Sequence, residues 1–258
     1  MNFYIATLNL NEANKEASKI KEVLESKGYT FDETHPDVVI SIGGDGTFLR
    51  SIQKYHLLNP LFVNINFGNL GYLCEYSTKQ VEELLSDLLD ENHKEKEVRL
   101  LECQYKDEIF YAINEFRVEA INGQTISFDV SINETFLERI KGDGCLISSS
   151  IGSSGMSRSI GGALVDNEIE MIQFVEKAPI NNRFYASIHS PYVLNNDKVI
   201  KIDNIKNEAF GLYFDCKAMV IQNFEGPLYF KISDKKIRFL KNQRNNYIKK
   251  TREAFLHD

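Results

Sequence analysis

The apolar run Val38, Val39, Ile40 and Ile42, interrupted only by Ser41, passes without a break into Gly43-Gly44-Asp45-Gly46-Thr47. Helical spacing of Phe48, Leu49 and Ile52 begins directly afterwards. A buried strand that turns through three glycines into a helix is the mark of a parallel α/β sheet, in which every strand needs a crossover before its parallel neighbour can pair. The turn stands at the carboxyl end of its strand, the edge where such sheets take their ligands.

The flanking segments repeat the pattern. Phe3 to Leu8 reads as a buried strand, and Ala13, Ala17, Ile20, Val23 and Leu24 follow at helical spacing to a stop at Lys27-Gly28. A further apolar run, Leu61 to Phe67, ends in Gly68-Asn69-Leu70-Gly71, and Ser77 to Gln80 has capping-box spacing ahead of Val81, Leu84, Leu85, Leu88 and Leu89. Beyond the charged stretch Asp90 to Glu97 the period falls to two, as in Phe128, Val130 and Ile132 or Leu228, Phe230 and Ile232. More strands are expected around Leu100, Tyr111, Ile147, Phe174, Ile200 and Tyr213, and a helix over Tyr247 to Leu256. The expected fold is α/β: an N-terminal Rossmann-like parallel α/β lobe over 1–94, then a C-terminal, mainly antiparallel β-sandwich lobe over 95–239. The helix within 240–258 is expected to pack back on the first lobe.

Composition narrows the class of function. At 43% hydrophobic and 26% charged residues the chain can build a core without disulfide or metal staples. A net charge of −7 excludes a protein built mainly to grip nucleic acid. Cys74, Cys103, Cys145 and Cys216 are too far apart for a zinc knuckle or a disulfide framework. The apolar start of the chain is too short for a signal peptide or membrane span, so a cytoplasmic protein is expected. His35, His56, His93, His189 and His257 show no metal-ligand spacing. The basic run Lys249-Lys250-Thr251-Arg252 reads as a solvated helix face.

Three segments carry chemistry. In the first glycine turn the backbone can approach a phosphate and donate N–H groups, while Asp45 is positioned to take a proton from an attacking hydroxyl. The competing reading is a tight turn in which Asp45 merely caps the helix. Neither a Walker loop nor a G-x-G-x-x-G fingerprint is present. Asn114-Glu115, inside the strand-like Tyr111 to Val118, offers an amide for an adenine edge and a carboxylate for ribose hydroxyls, or simply two polar residues at a hairpin edge facing water. The stretch from Gly142 to Gly162, rich in Ser and Gly between apolar flanks, lets backbone amides and hydroxyls meet a flat polar ligand.

A strand followed by G-G-D-G-T resembles a kinase superfamily that includes NAD kinases, lipid kinases and, more distantly, phosphofructokinases. The Asn114-Glu115 pair, the Gly142-Asp143-Gly144 to Gly161-Gly162 signature, Ala178 to Arg183 with Ser190-Pro191, and Asp215 together resemble the compact Gram-positive type of NAD kinase, in order, from about Val38 to the C-terminus. The resemblance implies metal-dependent phosphoryl transfer to the 2′-hydroxyl of the adenosine ribose of NAD, giving NADP. It implies Asp45 as catalytic base, with Gly43, Gly44 and Gly46 at the donor phosphates. Around the NAD it implies Asn114, Glu115, Lys141, Asp143, Ser154, Gly155, Met156, Ser157, Arg158, Ser159 and Ala178. It further implies a divalent metal, Mg²⁺, with ligands not assignable from the sequence, and ATP, another nucleoside triphosphate or polyphosphate as donor. The protein is expected to be a homo-oligomer, dimer or tetramer, without nucleic-acid or membrane partners. The family's T-A-Y is here Ser154-Gly155-Met156, its T-P-T is Ser149-Ser150-Ile151, and Lys141 stands where the type often has Arg. A kinase of a lipid or other small alcohol, and a catalytically weak dinucleotide-binding regulator, are the alternatives.

Overall fold

The computed structural model describes residues 1–8, 10–68 and 71–256, so Asn69 and Leu70 of the second glycine turn and His257 lie outside the described residues. The chain divides into two units, Met1–Val98 with Lys236–Asp258, and Arg99–Lys235.

The first unit is built on β1 (Asn2–Thr7), α1 (Asn11–Ser26), β2 (Thr30–Phe31), β3 (Val38–Gly43), α2 (Asp45–Tyr55), β4 (Leu61–Asn66), β5 (Tyr76–Ser77) and α3 (Val81–Leu89). Its strands run parallel in the order β2-β1-β3-β4, and β5 adds to the far end of β4. Every residue of β3 is buried, which is why this strand reads as an unbroken apolar run rather than an alternating one. Ile20 and Leu24 of α1 and Leu84 and Leu88 of α3 join Phe3, Val38, Ile40, Val63 and Ile65 in one core. Gly28, at φ +83°, ends the first helical segment where the sequence places the stop. The Ser77–Gln80 capping box forms, on a short 3-10 turn that leads into α3. The C-terminal helix, Tyr247–Phe255, belongs to this unit.

The second unit is mainly β, with a 3-10 turn over Ile151–Ser154 and one short helical turn over Met156–Ser159. Its strands are β6 (Glu95–Tyr105), β7 (Glu108–Ala112), β8 (Glu115–Glu119), β9 (Ile126–Ile132), β10 (Thr135–Gly142), β11 (Gly144–Ser149), β12 (Met171–Lys177), β13 (Tyr192–Asn195), β14 (Ile200–Asp203), β15 (Ala209–Phe214), β16 (Lys217–Gln222) and β17 (Leu228–Leu240). The chain enters the unit within β6 and leaves it within β17. One sheet has the antiparallel order β13-β12-β11-β8-β15-β16, and in the other β10, β9, β14 and β17 are neighbours in that order, with β6 beside β17 and β7 beside β6. Phe116, Ile147, Phe174 and Leu212 from the first sheet meet Leu101, Phe128, Ile200 and Phe230 from the second in a single core, so the unit is a β-sandwich.

One expected strand is corrected. Tyr111 to Val118 is not continuous: β7 stops at Ala112, β8 starts at Glu115, and Ile113-Asn114 form a bend. The reason is a change of sheet, since β7 pairs with β6 while β8 pairs with β11 and β15.

Candidate active site

In the first unit β3 ends on Gly43, Gly44 takes extended backbone at the N-cap, and Asp45 opens α2. A Cβ on Gly43 would run into the Thr47 side chain, so the tight turn needs the glycine. Gly44 has nothing within 4 Å of where a Cβ would stand, and Gly46 only the Arg50 guanidinium at 3.7 Å, which leaves this backbone open at the positive end of a helix.

The Asp45 side chain does not cap its helix. Its Oδ2 accepts from the Tyr72 N–H at 3.0 Å, its Oδ1 from the Leu73 N–H at 3.1 Å, and the Cys74 thiol donates to Oδ1 at 3.7 Å. Burial pushes the Asp45 carboxyl up from its usual range, against the lowering effect of the Leu73 and Tyr72 amides, the Cys74 thiol and the Lys250 charge. Such a carboxylate is a stronger base than a solvated one. Beside it lies a hollow of about 160 Å³, lined by Asn66, Gly71, Tyr72, Glu75 and Lys250 among others. Lys250 is therefore not on a solvated face as its basic neighbourhood implies. Its Nζ donates to the Cys74 carbonyl at 2.7 Å and to Glu75 Oε1 at 2.8 Å.

In the second unit the bend at Ile113-Asn114 leaves two backbone N–H groups without a strand partner, and the Asp215 carboxylate takes both at 2.9 Å. Asp215 sits in the β15–β16 hairpin with φ +47°, and its own N–H returns to the Glu115 carbonyl at 3.3 Å. The Gly142 to Gly162 signature is fastened to the same corner: Ser149 N–H donates to the Asn114 carbonyl at 2.9 Å and Ser149 Oγ to the Ile113 carbonyl at 2.6 Å. Gly155 follows a 3-10 turn over Ile151–Ser154, and a Cβ there would stand 3.6 Å from Glu115 Oε2 and 3.8 Å from Asn114 Nδ2. The corner thus gathers Asn114, Glu115, Ser154 and Gly155. Two of its acceptors, Asn114 Oδ1 and Glu115 Oε2, are buried without a hydrogen-bond partner among the described residues. Burial, and then the Asp215 charge, push the Glu115 carboxyl up to about 7, against the pull of Arg117. Acceptors of this kind fit a ligand that brings N–H or O–H donors.

Several serines of the signature do internal work. Ser153 Oγ donates to the Ser150 carbonyl at 2.6 Å and accepts from the Val165 N–H at 3.0 Å. Ser157 is fully buried, its Oγ accepting from Gln173 Nε2 at 3.2 Å, so this residue supports the segment instead of presenting its hydroxyl to a ligand. Met156, Arg158 and Ser159 are exposed and Ser154 half-buried.

A second cluster forms where the chain crosses between sheets again, from β10 to β11. Asp143 is exposed there, its N–H donating to the Lys177 carbonyl at 3.0 Å. Gly142 packs so tightly on the Ala178 carbonyl that a Cβ would stand 2.6 Å from its oxygen, and Ala178 itself holds φ +46°. Lys141 Nζ lies over the Tyr185 ring at 5.4 Å. Ala178 also lines a hollow of about 180 Å³ with Gly161, Glu176, Pro179 and His189. Sequence reasoning left Asp215, Cys74, Lys250 and Gln173 outside the candidate set. Only Asp215 carried a signal, its place in the last hairpin.

Among the described residues no three His, Cys, Asp or Glu side chains come together to hold a metal ion, and no helix is long and apolar enough to cross a membrane. The ATP-NAD kinase N-terminal domain family matches residues 4–93 and the ATP-NAD kinase C-terminal domain family residues 113–242. NAD kinase 1 of Bacillus anthracis is 31% identical over the full length of both chains. The fold is shared with an NAD kinase from Archaeoglobus fulgidus in complex with ATP, at TM-score 0.80 and 24% identity over 98% of this chain and 99% of that one. It is shared also with yeast NADH kinase complexed with NADH, at TM-score 0.85 and 18% identity over 100% of this chain and 89% of that one. The two family matches make this chain, with its parallel α/β unit presenting a glycine-framed carboxylate and its β-sandwich unit, a kinase. Within that class the chain belongs to the NAD kinase family.

Proposed function

We propose that the chain transfers the terminal phosphoryl group of ATP, or of polyphosphate, to the 2′-hydroxyl of the adenosine ribose of NAD, giving NADP. The observation that carries this reading is the state of Asp45: buried, raised in proton affinity, and held on two backbone amides instead of capping its helix. Its carboxylate takes the hydroxyl proton as the ribose oxygen attacks the terminal phosphorus and the bond from that phosphorus to its bridging oxygen breaks, releasing ADP or the shortened polyphosphate, while the backbone of Gly43, Gly44 and Gly46 lies along the donor phosphates. NAD hydroxyl and amine donors meet Asn114 Oδ1 and Glu115 Oε2, with Ser154, Gly155 and Met156 alongside and Lys141, Asp143 and Ala178 at the other end of the dinucleotide. Arg158 and Ser159 are exposed on the same segment. Mg²⁺ is taken to enter with the donor as MgATP, where it neutralises charge on the phosphate oxygens. The names of the relatives support NAD as acceptor, and the ATP complex of the Archaeoglobus enzyme supports ATP as donor. A lipid acceptor is disfavoured by the buried polar acceptors of the Asn114-Glu115 corner.

The test is NADP formation from NAD, ATP and Mg²⁺, read with an NADP-specific dehydrogenase. Asp45→Asn removes the base and few contacts, so turnover is expected to fall by at least about 100-fold with NAD binding retained. Equal turnover in the variant at saturating substrates would remove Asp45 from the catalytic role.

A further inference from the structure

The two amides that hold the Asp45 carboxylate lie in segment 71–75, which has neither helix nor strand. A short irregular loop fixes two N–H vectors only if something fixes the loop. Here the C-terminal helix and the run before it do so. The Tyr72 ring packs on Tyr247 and Phe255, centroids 5.5 and 5.6 Å apart, and its hydroxyl meets Thr251 Oγ1 at 3.1 Å. Asn242 and Asn245 donate to the Glu75 carbonyl at 3.1 and 2.6 Å. Between these contacts stands Lys250, 18% exposed, with its ammonium on the Cys74 carbonyl at 2.7 Å and on Glu75 Oε1 at 2.8 Å.

We propose that Lys250 is a positioning residue for the phosphoryl-transfer base: by fixing the Cys74-Glu75 backbone it aims the Tyr72 and Leu73 amides at Asp45, so the last helix of the chain governs turnover. The inference rests on the reading of Asp45 as the base. The charged and titratable groups facing Asp45 are Cys74 from the loop and Lys250 from the helix, with Glu75 paired to Lys250. Lys250 lowers the proton affinity of Asp45, so a neutral side chain in its place raises it further.

The experiment measures kcat, KM for NAD, the pH profile of kcat and the melting temperature of the full chain in five variants: Lys250→Gln, Lys250→Arg, Lys249→Ala, Tyr72→Phe and Asp45→Asn. A misaimed base is expected to cost K250Q about ten- to a hundredfold in kcat, with KM for NAD within about twofold. The acid limb of its profile moves to higher pH. K250R keeps charge and reach, so it recovers most of kcat and returns the limb. K249A, whose side chain is 75% exposed beside Glu253, behaves as wild type. Should K250Q fail to fold, Y72F loosens the same grip by one hydroxyl, and a smaller fall in kcat at unchanged KM is expected of it. Wild-type kcat and limb in K250Q, with D45N inactive, overturns the proposal and leaves the base assignment standing. A loss that K250R does not rescue, with an unmoved limb and a lowered melting temperature, overturns it in favour of stability alone. An active D45N overturns the base assignment and this inference together.

Discussion

Glu115 shows how one carboxyl couples binding to stability. Its proton is held to about pH 7 by burial and by Asp215, whereas an unfolded glutamate releases it near 4.5. A proton bound more tightly in the fold contributes stability that is fully present below about 4.5 and is lost as the pH rises through about 7. Glu115→Gln cannot ionise. Relative to that variant the wild type is therefore expected to lose about 2 kcal/mol of stability between pH 5 and pH 8, read from urea midpoints. On the role proposed for Glu115 at the ribose hydroxyls the ionised form is the acceptor, so NAD affinity is expected to rise over the same range in the wild type and to stay flat in E115Q. Parallel curves for the two proteins would show that Glu115 titrates like a solvated side chain. Met156, 36% exposed and next to Gly155, bears on the same corner. An aromatic ring there offers a flat face to a base, so Met156→Tyr is expected to tighten NAD by about 0.5–1.5 kcal/mol with kcat unchanged, as calorimetry would report. An unaltered Kd would place residue 156 away from the ligand.

At the level of elements, Asn114, Glu115 and Gly155, and likewise Asp143 and Ala178, all proposed to meet NAD, collect where the chain changes sheets, at Ile113-Asn114 and at Gly142-Asp143. The first crossover is closed by Gly152, because a Cβ there would collide with the Asn114 carbonyl that already accepts from Ser149. Gly152→Ala is expected to cost about 1–3 kcal/mol of stability and to weaken NAD binding with it. Thermal melts and a titration check this, and wild-type values in both would mean that the turn relaxes without moving Asn114. The strand–turn–helix at Val38 to Tyr55 and the Ser77–Gln80 capping box were legible in the sequence, since each is decided by neighbours within a turn or two. The Ile113-Asn114 bend was not. Residues 111–118 alternate well enough for one strand, and what breaks it is pairing with two different sheets plus a carboxylate 101 residues away. Lys250 failed in the same manner: a basic run looks solvated until its partners, 175 and 176 residues earlier, come into contact. The resemblance puts Ser157 around the NAD, and Gln173 holds its hydroxyl inward.

Over the whole molecule, the order in which the chain builds its units sets what a motif can do alone. The α/β unit is discontinuous, begun by 1–98 and finished by 236–258, while 99–235 is one uninterrupted piece. The returning segment pairs Arg238 and Phe239 with Leu61 and Phe62 of β4, adds Leu240 to the core, and supplies the side chains that hold segment 71–75. Fragment 99–235 keeps its own core around Phe116, Phe128, Phe174, Phe210 and Phe230. It is expected to fold by itself, with dispersed amide resonances and a cooperative melt. Fragment 1–98 carries the complete Gly43 to Thr47 motif yet is expected to show no cooperative transition until a 236–258 peptide is added, because it leaves the edge of β4 unpaired and the Asp45 loop ungripped. A cooperative melt of 1–98 alone would mean that the return segment only decorates a finished sheet. The expected result means instead that Asp45 becomes a competent base only after the end of the chain has come back.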